Sequence, residues 1–76
     1  MLDKRLVDTL SRVFNVDPST ITPETSPATL PSWDSVGHIN LVLELEDVFG
    51  VRFSSESIPT LDSARTLQAA IDALGG

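Results

Sequence analysis

The stretch Leu30-Pro31-Ser32-Trp33-Asp34-Ser35-Val36-Gly37-His38-Ile39-Asn40-Leu41-Val42-Leu43-Glu44-Leu45-Glu46-Asp47-Val48-Phe49-Gly50 reads as a loop, a helix start, one amphipathic helix and a glycine stop. Pro31 disfavours helix in the residue before it. Asp34 is a good N-cap, because its carboxylate can accept from the free amides of the first turn. Gly50 stands where a left-handed residue is wanted after a helix. At about 100° per residue, Leu41, Val42, Leu45, Val48 and Phe49 fall on one side of this helix, with His38 near them. Val36, Ile39, Asn40, Leu43 and Asp47 fall on the other, flanked by Glu44 and Glu46. The first side is a core stripe. The second is apolar along its middle and polar at its rim. It is either a docking surface or a face turned toward another part of the chain, and the wheel alone does not choose.

The rest of the chain predicts a small all-α domain. With 76 residues, a single domain spanning 1–76 is expected. Leu2, Leu6, Val7, Leu10, Val13 and Phe14 recur at helical spacing and predict a helix from about Asp3 to Asn15. Asp17-Pro18 is a cap and first-turn pair for a short helical turn through Ile21. Residues 22–32 hold Pro23, Pro27 and Pro31 among Ser and Thr, with Ile21, Leu30 and Trp33 as apolar anchors. This predicts an ordered loop, part of a connection of about twenty residues, with Trp33 pinning it to the bundle. After Gly50, Val51 and Phe53 point an extended segment at the core. Ser54 or Ser55 then caps a brief helical turn containing Glu56 and Ile58 and limited by Pro59, and Leu61 packs inward. Ser63 caps a last helix from Ala64 to Leu74 that buries Leu67, Ala70, Ile71 and Leu74, with Gly75-Gly76 ending it. The expected architecture is a four-helix bundle: three main helices, one short one and a long first loop. Its core gathers Leu6, Leu10, Phe14, Leu41, Leu45, Phe49, Phe53, Ile71 and Leu74.

Composition excludes several classes of function. There is no cysteine, and so no disulfide, thiolate metal site or native thiol nucleophile. The apolar run of the central helix is broken by Asn40, Glu44 and Glu46, which excludes a spanning helix. The first residues alternate charged and apolar side chains, unlike a signal peptide, so a cytoplasmic chain is expected. Met1 and the compact ends favour a free-standing one. The net charge of −6 is uneven. Between Asp34 and Asp62 lie Asp34, Glu44, Glu46, Asp47, Glu56 and Asp62 against Arg52 alone. That disfavours nucleic acid and anionic membrane as partners and favours basic protein surfaces, although acidity also serves solubility. No EF-hand spacing or glycine-rich phosphate loop is present. A serine nucleophile at Ser35 would have only His38 as a base, with no third group and no substrate cleft, so hydrolysis is disfavoured. What remains is a serine at a helix N-terminus, where amides and dipole favour an attached anion. Ser35 is a phosphorylation site, the anchor of another phosphodiester, or a plain capping serine.

Trp33-Asp34-Ser35-Val36 followed by the Ile39–Phe49 helix resembles the acyl carrier proteins, including their peptidyl carrier relatives, which carry Asp-Ser-Leu at the start of their second helix. The resemblance extends to the helix order, the long first loop, Glu46-Asp47-Val48-Phe49-Gly50, and Leu67-Gln68-Ala69-Ala70-Ile71-Asp72 in the last helix. The departures are Val36 for leucine, Trp33 before the motif, and Gly37 and His38 where the family often has polar residues. The resemblance implies a non-catalytic, monomeric carrier. Ser35, beside Asp34, would receive 4′-phosphopantetheine from coenzyme A and hold acyl or aminoacyl groups as thioesters for fatty acid, polyketide or related synthesis. It implies docking through Val36, Ile39, Asn40, Leu43, Glu44, Glu46 and Asp47. The partners implied are a phosphopantetheinyl transferase and loading, acyl-transfer or condensing enzymes with basic surfaces, without nucleic acid or membrane insertion. The competing expectation is a cofactor-free helical interaction domain phosphorylated on Ser35.

Overall fold

A computed structural model describes residues 2–75, so Met1 and the Gly76 expected to help end the last helix lie outside the described residues. Within them are three α-helices and no strand: α1, Lys4–Phe14; α2, Ser35–Phe49; and α3, Ala64–Ala73. Each start follows from its cap. Asp3 accepts from the Arg5 amide at 2.8 Å, Asp34 from the Gly37 amide at 2.8 Å, and Ser63 from the Thr66 amide at 3.2 Å. At Ser63 the Thr66 hydroxyl returns the bond, accepting from the Ser63 amide at 3.0 Å, which completes a capping box with threonine in place of glutamate. Asp17 caps a 3₁₀ turn over Pro18–Thr20, as its Asp-Pro pair predicts. The Arg5 side chain, then the Arg5 amide, hold the Asp3 carboxyl below the usual carboxylate range. The Ser19 amide, then its hydroxyl, do the same for Asp17. α1 stops at Asn15 and α2 at Gly50, both in the left-handed region.

The core is shared by Leu6, Leu10 and Phe14 of α1, Leu41, Val42, Leu45 and Phe49 of α2, and Ala64, Leu67 and Ile71 of α3. Connections add Ile21, Trp33, Phe53 and Leu61. Arg5 lies over the Phe49 ring, 4.4 Å from its centroid, and covers the edge of the α1–α2 contact.

The long loop is ordered by three successive turns, closed by the amides of Thr25, Thr29 and Trp33 on the carbonyls of Thr22, Ser26 and Leu30. The loop also completes α3, since the Pro23 and Thr25 carbonyls accept from the Arg65 and Ala64 amides at 3.0 and 2.8 Å. Two of the amides that any helix start leaves unpaired are therefore satisfied by the loop.

Two expectations are corrected. The fourth helix is only a turn at Ser54–Ser57 followed by a 3₁₀ turn over Ile58–Thr60. The Ser57 and Thr60 hydroxyls donate back to the Ser54 and Ser57 carbonyls, and Pro59 has no amide to donate, so the one α-type bond, from the Ile58 amide to the Ser54 carbonyl, is not continued. Leu74 is not core. It is the residue that caps α3, past the last helical position, and is 47% exposed. None of the described helices is long and apolar enough to cross a membrane.

The contrast between the two leucines is measurable. Leu45 is fully buried, so Leu45→Ala should lower the unfolding free energy by about 2–5 kcal/mol. Leu74→Ala should change it by less than about 0.5 kcal/mol in the same denaturant titration.

Candidate functional site

The mouth of α2 is assembled by three neighbouring groups. The first is the cap: Asp34 is extended, takes the Gly37 amide on its side chain and the His38 amide on its carbonyl at 2.8 Å. The amides of Ser35 and Val36 have no acceptor among the described residues, and neither does the exposed Ser35 hydroxyl donate to one. An anion attached to Ser35 would therefore meet free N–H groups and the positive end of the helix dipole.

The second is Trp33. Its ring is 3% exposed and lies between Phe14 of α1, at 5.4 Å and 25°, and His38 of α2, at 6.1 Å and 17°. The indole N–H donates to His38 Nδ1 at 2.9 Å, and His38 Nε2 lies 2.8 Å from the Ile58 carbonyl. Trp33 thus pins the loop to the bundle, and His38 sits half-buried at the core's edge. Both nitrogens of the histidine are engaged with groups other than Ser35.

The third is Gly37. A Cβ there would come within 2.5 Å of the Ser32 carbonyl oxygen, 3.0 Å of Phe14 Cε1 and 3.3 Å of Asp34 Oδ1. The loop crosses the first turn of α2 so closely that only glycine leaves room for it.

Beside Ser35 opens a groove of about 580 Å³. Trp33, Ile39, Ile58, Pro59 and Leu61 give it apolar walls, and Asp34 and Asp62 give it acidic edges. Down α2 from Ser35 runs the other face of the helix. Val36, Ile39 and Leu43 are 71%, 51% and 59% exposed, and Asn40 and Asp47 are exposed with them. The chain does not cover this strip. Glu44 borders it but is paired with Arg12 of α1 at 2.8 Å, roofing a hollow that Asn40, Leu43 and Val13 also line. Glu46 is half-buried, and its carboxylate accepts from the Phe53 amide at 2.9 Å, which ties down the segment after Gly50.

Ser35, Asp34, Val36, Ile39, Asn40, Leu43 and Asp47 thus share one exposed surface, while Glu44 and Glu46 are engaged within the fold. Sequence reading missed the partner of each, Arg12 and Phe53, and the pairing of His38 with Trp33 and Ile58. The short distance from Trp33 to His38 around a capped helix start was a usable signal for the last of these. No protein-family model matches this chain, and no curated protein matches it.

Gly37→Ala tests the crowding at the mouth. Alanine gains about 1 kcal/mol of helix propensity, but overpacking against a backbone carbonyl costs about 1–3 kcal/mol. The variant should be less stable by up to about 2 kcal/mol in urea, with the slope of the transition unchanged. A more stable variant would mean that the Ser32 loop gives way.

Proposed function

We propose that this chain is a carrier of the acyl-carrier-protein type, which takes 4′-phosphopantetheine on Ser35 and holds acyl or aminoacyl groups on it as thioesters. The observation that carries this reading is the exposed, unbonded Ser35 hydroxyl at the head of α2, next to two unpaired amides and an uncovered apolar strip. Within it, the 3₁₀ turn over Ile58–Thr60 stands for the family's short helix between its second and last long ones. When bound, the arm supplies the thiol that the chain itself lacks. The chain's own residues fix the backbone that presents the hydroxyl: Asp34 caps the first turn and Trp33 anchors the preceding loop, while the Ser35 and Val36 amides would be free to donate to the phosphodiester.

His38 has no free lone pair to act on Ser35 in this arrangement, which favours a role as acceptor of the arm over self-catalysed chemistry. Attachment proceeds by attack of the Ser35 oxygen on the β-phosphorus of coenzyme A. The new oxygen–phosphorus bond replaces the pyrophosphate bond, adenosine 3′,5′-bisphosphate departs as the leaving group, and the hydroxyl proton goes to a base on the transferase. The enzymes served are expected to be basic at the rim and apolar at the centre, meeting Val36, Ile39, Leu43 and Asp47 through small, transient contacts in the cytoplasm.

Incubation with coenzyme A and a phosphopantetheinyl transferase should add one arm per chain by intact mass. Ser35→Ala should abolish the gain and leave the helical circular dichroism unchanged. Loading of the alanine variant, or attachment at Ser32, would overturn the assignment. A wild-type chain that refuses the arm but accepts phosphate from a kinase on Ser35 would favour a cofactor-free interaction domain.

Docking is tested on the same assay. Asp47→Lys should slow transfer up to about tenfold, with the deficit shrinking as salt rises. Ile39→Ala should slow transfer with little salt dependence, and Asp8→Lys on exposed α1 surface should leave transfer unchanged. Equal effects at Asp8 and Asp47 would mean that the acidity serves only solubility.

A further inference from the structure

The partners of His38 determine where its proton lies. An indole N–H can only donate, so Nδ1, 2.9 Å from Trp33 Nε1, is the acceptor. The neutral ring then carries its proton on Nε2, which donates to the Ile58 carbonyl at 2.8 Å. A hydrogen-bonded bridge thus runs from the loop before α2, through the first turn of α2, to the 3₁₀ turn at Ile58–Thr60. All three members border the groove beside Ser35.

We infer that His38 is a proton-operated latch on the Ser35 site, tying Trp33 to the 3₁₀ turn when neutral and releasing Trp33, with the residues that lead into Ser35, when protonated. The latch stands on geometry alone; only its bearing on Ser35 rests on the carrier reading.

An imidazolium has N–H at both positions. Its Nδ1–H would face the Trp33 N–H at the 2.9 Å now spanned by a hydrogen bond, and two donors cannot bond. The Ile58 end survives and becomes charge-assisted. The proton therefore detaches the loop and leaves the 3₁₀ turn attached. Trp33 is buried and its N–H has no other acceptor among the described residues, so one ring of the pair has to shift until that group finds water. Such a shift reaches Ser35 directly, since Trp33 is two residues before it and the Ser32 carbonyl is packed on Gly37. The charged groups sharing the groove with His38 are Asp34 at the start of α2 and Asp62 before α3. The loop contributes Pro27 and Trp33, the 3₁₀ turn Ile58 and Pro59, and α1 only the Phe14 ring behind Trp33. The new positive charge meets carboxylates and no lining cation.

The chain has one tryptophan and one histidine, so the test reads single groups in the unmodified protein. At about pH 8, where imidazole side chains are mostly neutral, the ring ¹⁵N shifts of His38 should report the Nε2–H tautomer. On acidification from about pH 8, the protection of the Trp33 indole N–H against solvent exchange should fall about tenfold in one single-proton step that coincides with the change in the His38 ring ¹⁵N shifts, with helical circular dichroism unchanged. His38→Asn, whose carboxamide oxygen can accept from the indole but does not titrate, should show no such step. The Nδ1–H tautomer, constant protection in the wild type, or an equal fall in His38→Asn would each overturn the latch.

Transfer onto Ser35, taken as the ratio of wild type to His38→Asn so that the transferase's own pH dependence divides out, should drop several-fold over the same range. A constant ratio with falling protection would mean the latch does not reach Ser35. Absence of transfer to either protein at every pH would count against the carrier reading and leave the latch to the indole measurement.

Discussion

The indole of Trp33 is the piece on which the site end of this molecule depends. It is nearly fully buried, stacked on Phe14 of α1 and joined edge to edge with His38 of α2, whose ring accepts its N–H in place of solvent. A loop of this length would otherwise be expensive to hold in one place, because each ordered residue gives up about 1–2 kcal/mol of backbone entropy. The chain offsets that expense locally, with turns closed by threonine amides, and at the two ends of the loop. Trp33 anchors it at α2, and the Pro23 and Thr25 carbonyls anchor it at α3. The result brings the start of α2 and the start of α3 under one organising segment. The mouth of α2 is therefore held from both sides while its first residue stays exposed.

Much of this was readable before the fold was known, because caps are local chemistry. Asp17, Asp34 and Ser63 each accept from an amide two or three residues on, and such partners are fixed by spacing alone. The wheel likewise separated Leu41, Val42, Leu45 and Phe49 from Ile39 and Leu43, since a 3.6-residue period leaves little choice about which face is which. The wheel could not say whether the second face was covered, because covering is a tertiary fact.

What was not legible involved partners distant in the chain or a local competition between bonds. Glu44 and Glu46 look alike in sequence, two acids near an apolar strip. One is drawn to Arg12, thirty-two positions away, and the other to the backbone of Phe53. Composition counts both as surface charge, whereas the fold spends both on its own joints. The short fourth helix failed for the opposite reason. Ser54 or Ser55 reads as its cap, but in so short a segment the Ser57 and Thr60 hydroxyls bond to the carbonyls three residues back, and the segment ends in a 3₁₀ turn. Leu74 was misplaced by one position of helix end, where periodicity no longer constrains a side chain.

The internal use of Glu44 and Glu46 changes what the acidic central region can offer a partner. An exposed pair such as Arg12–Glu44 adds little stability on its own, about 0–1 kcal/mol, but it neutralises the carboxylate nearest Leu43. The charge left on the outer face of α2 is then concentrated at its ends, with Asp34 beside Ser35 and Asp47 near the last turn. Between them lie Val36, Ile39, Asn40 and Leu43, which present apolar area and one neutral amide. Under the proposed carrier role, a surface of that kind would orient an approaching basic protein by its two ends and bind it by its middle. Encounter then follows ionic strength while the lifetime of the contact follows apolar fit. If Ser35 carries the proposed arm and is offered to one enzyme and withdrawn for the next, such a division fits that role better than a uniformly acidic face, whose hold on a partner would rise and fall with salt alone.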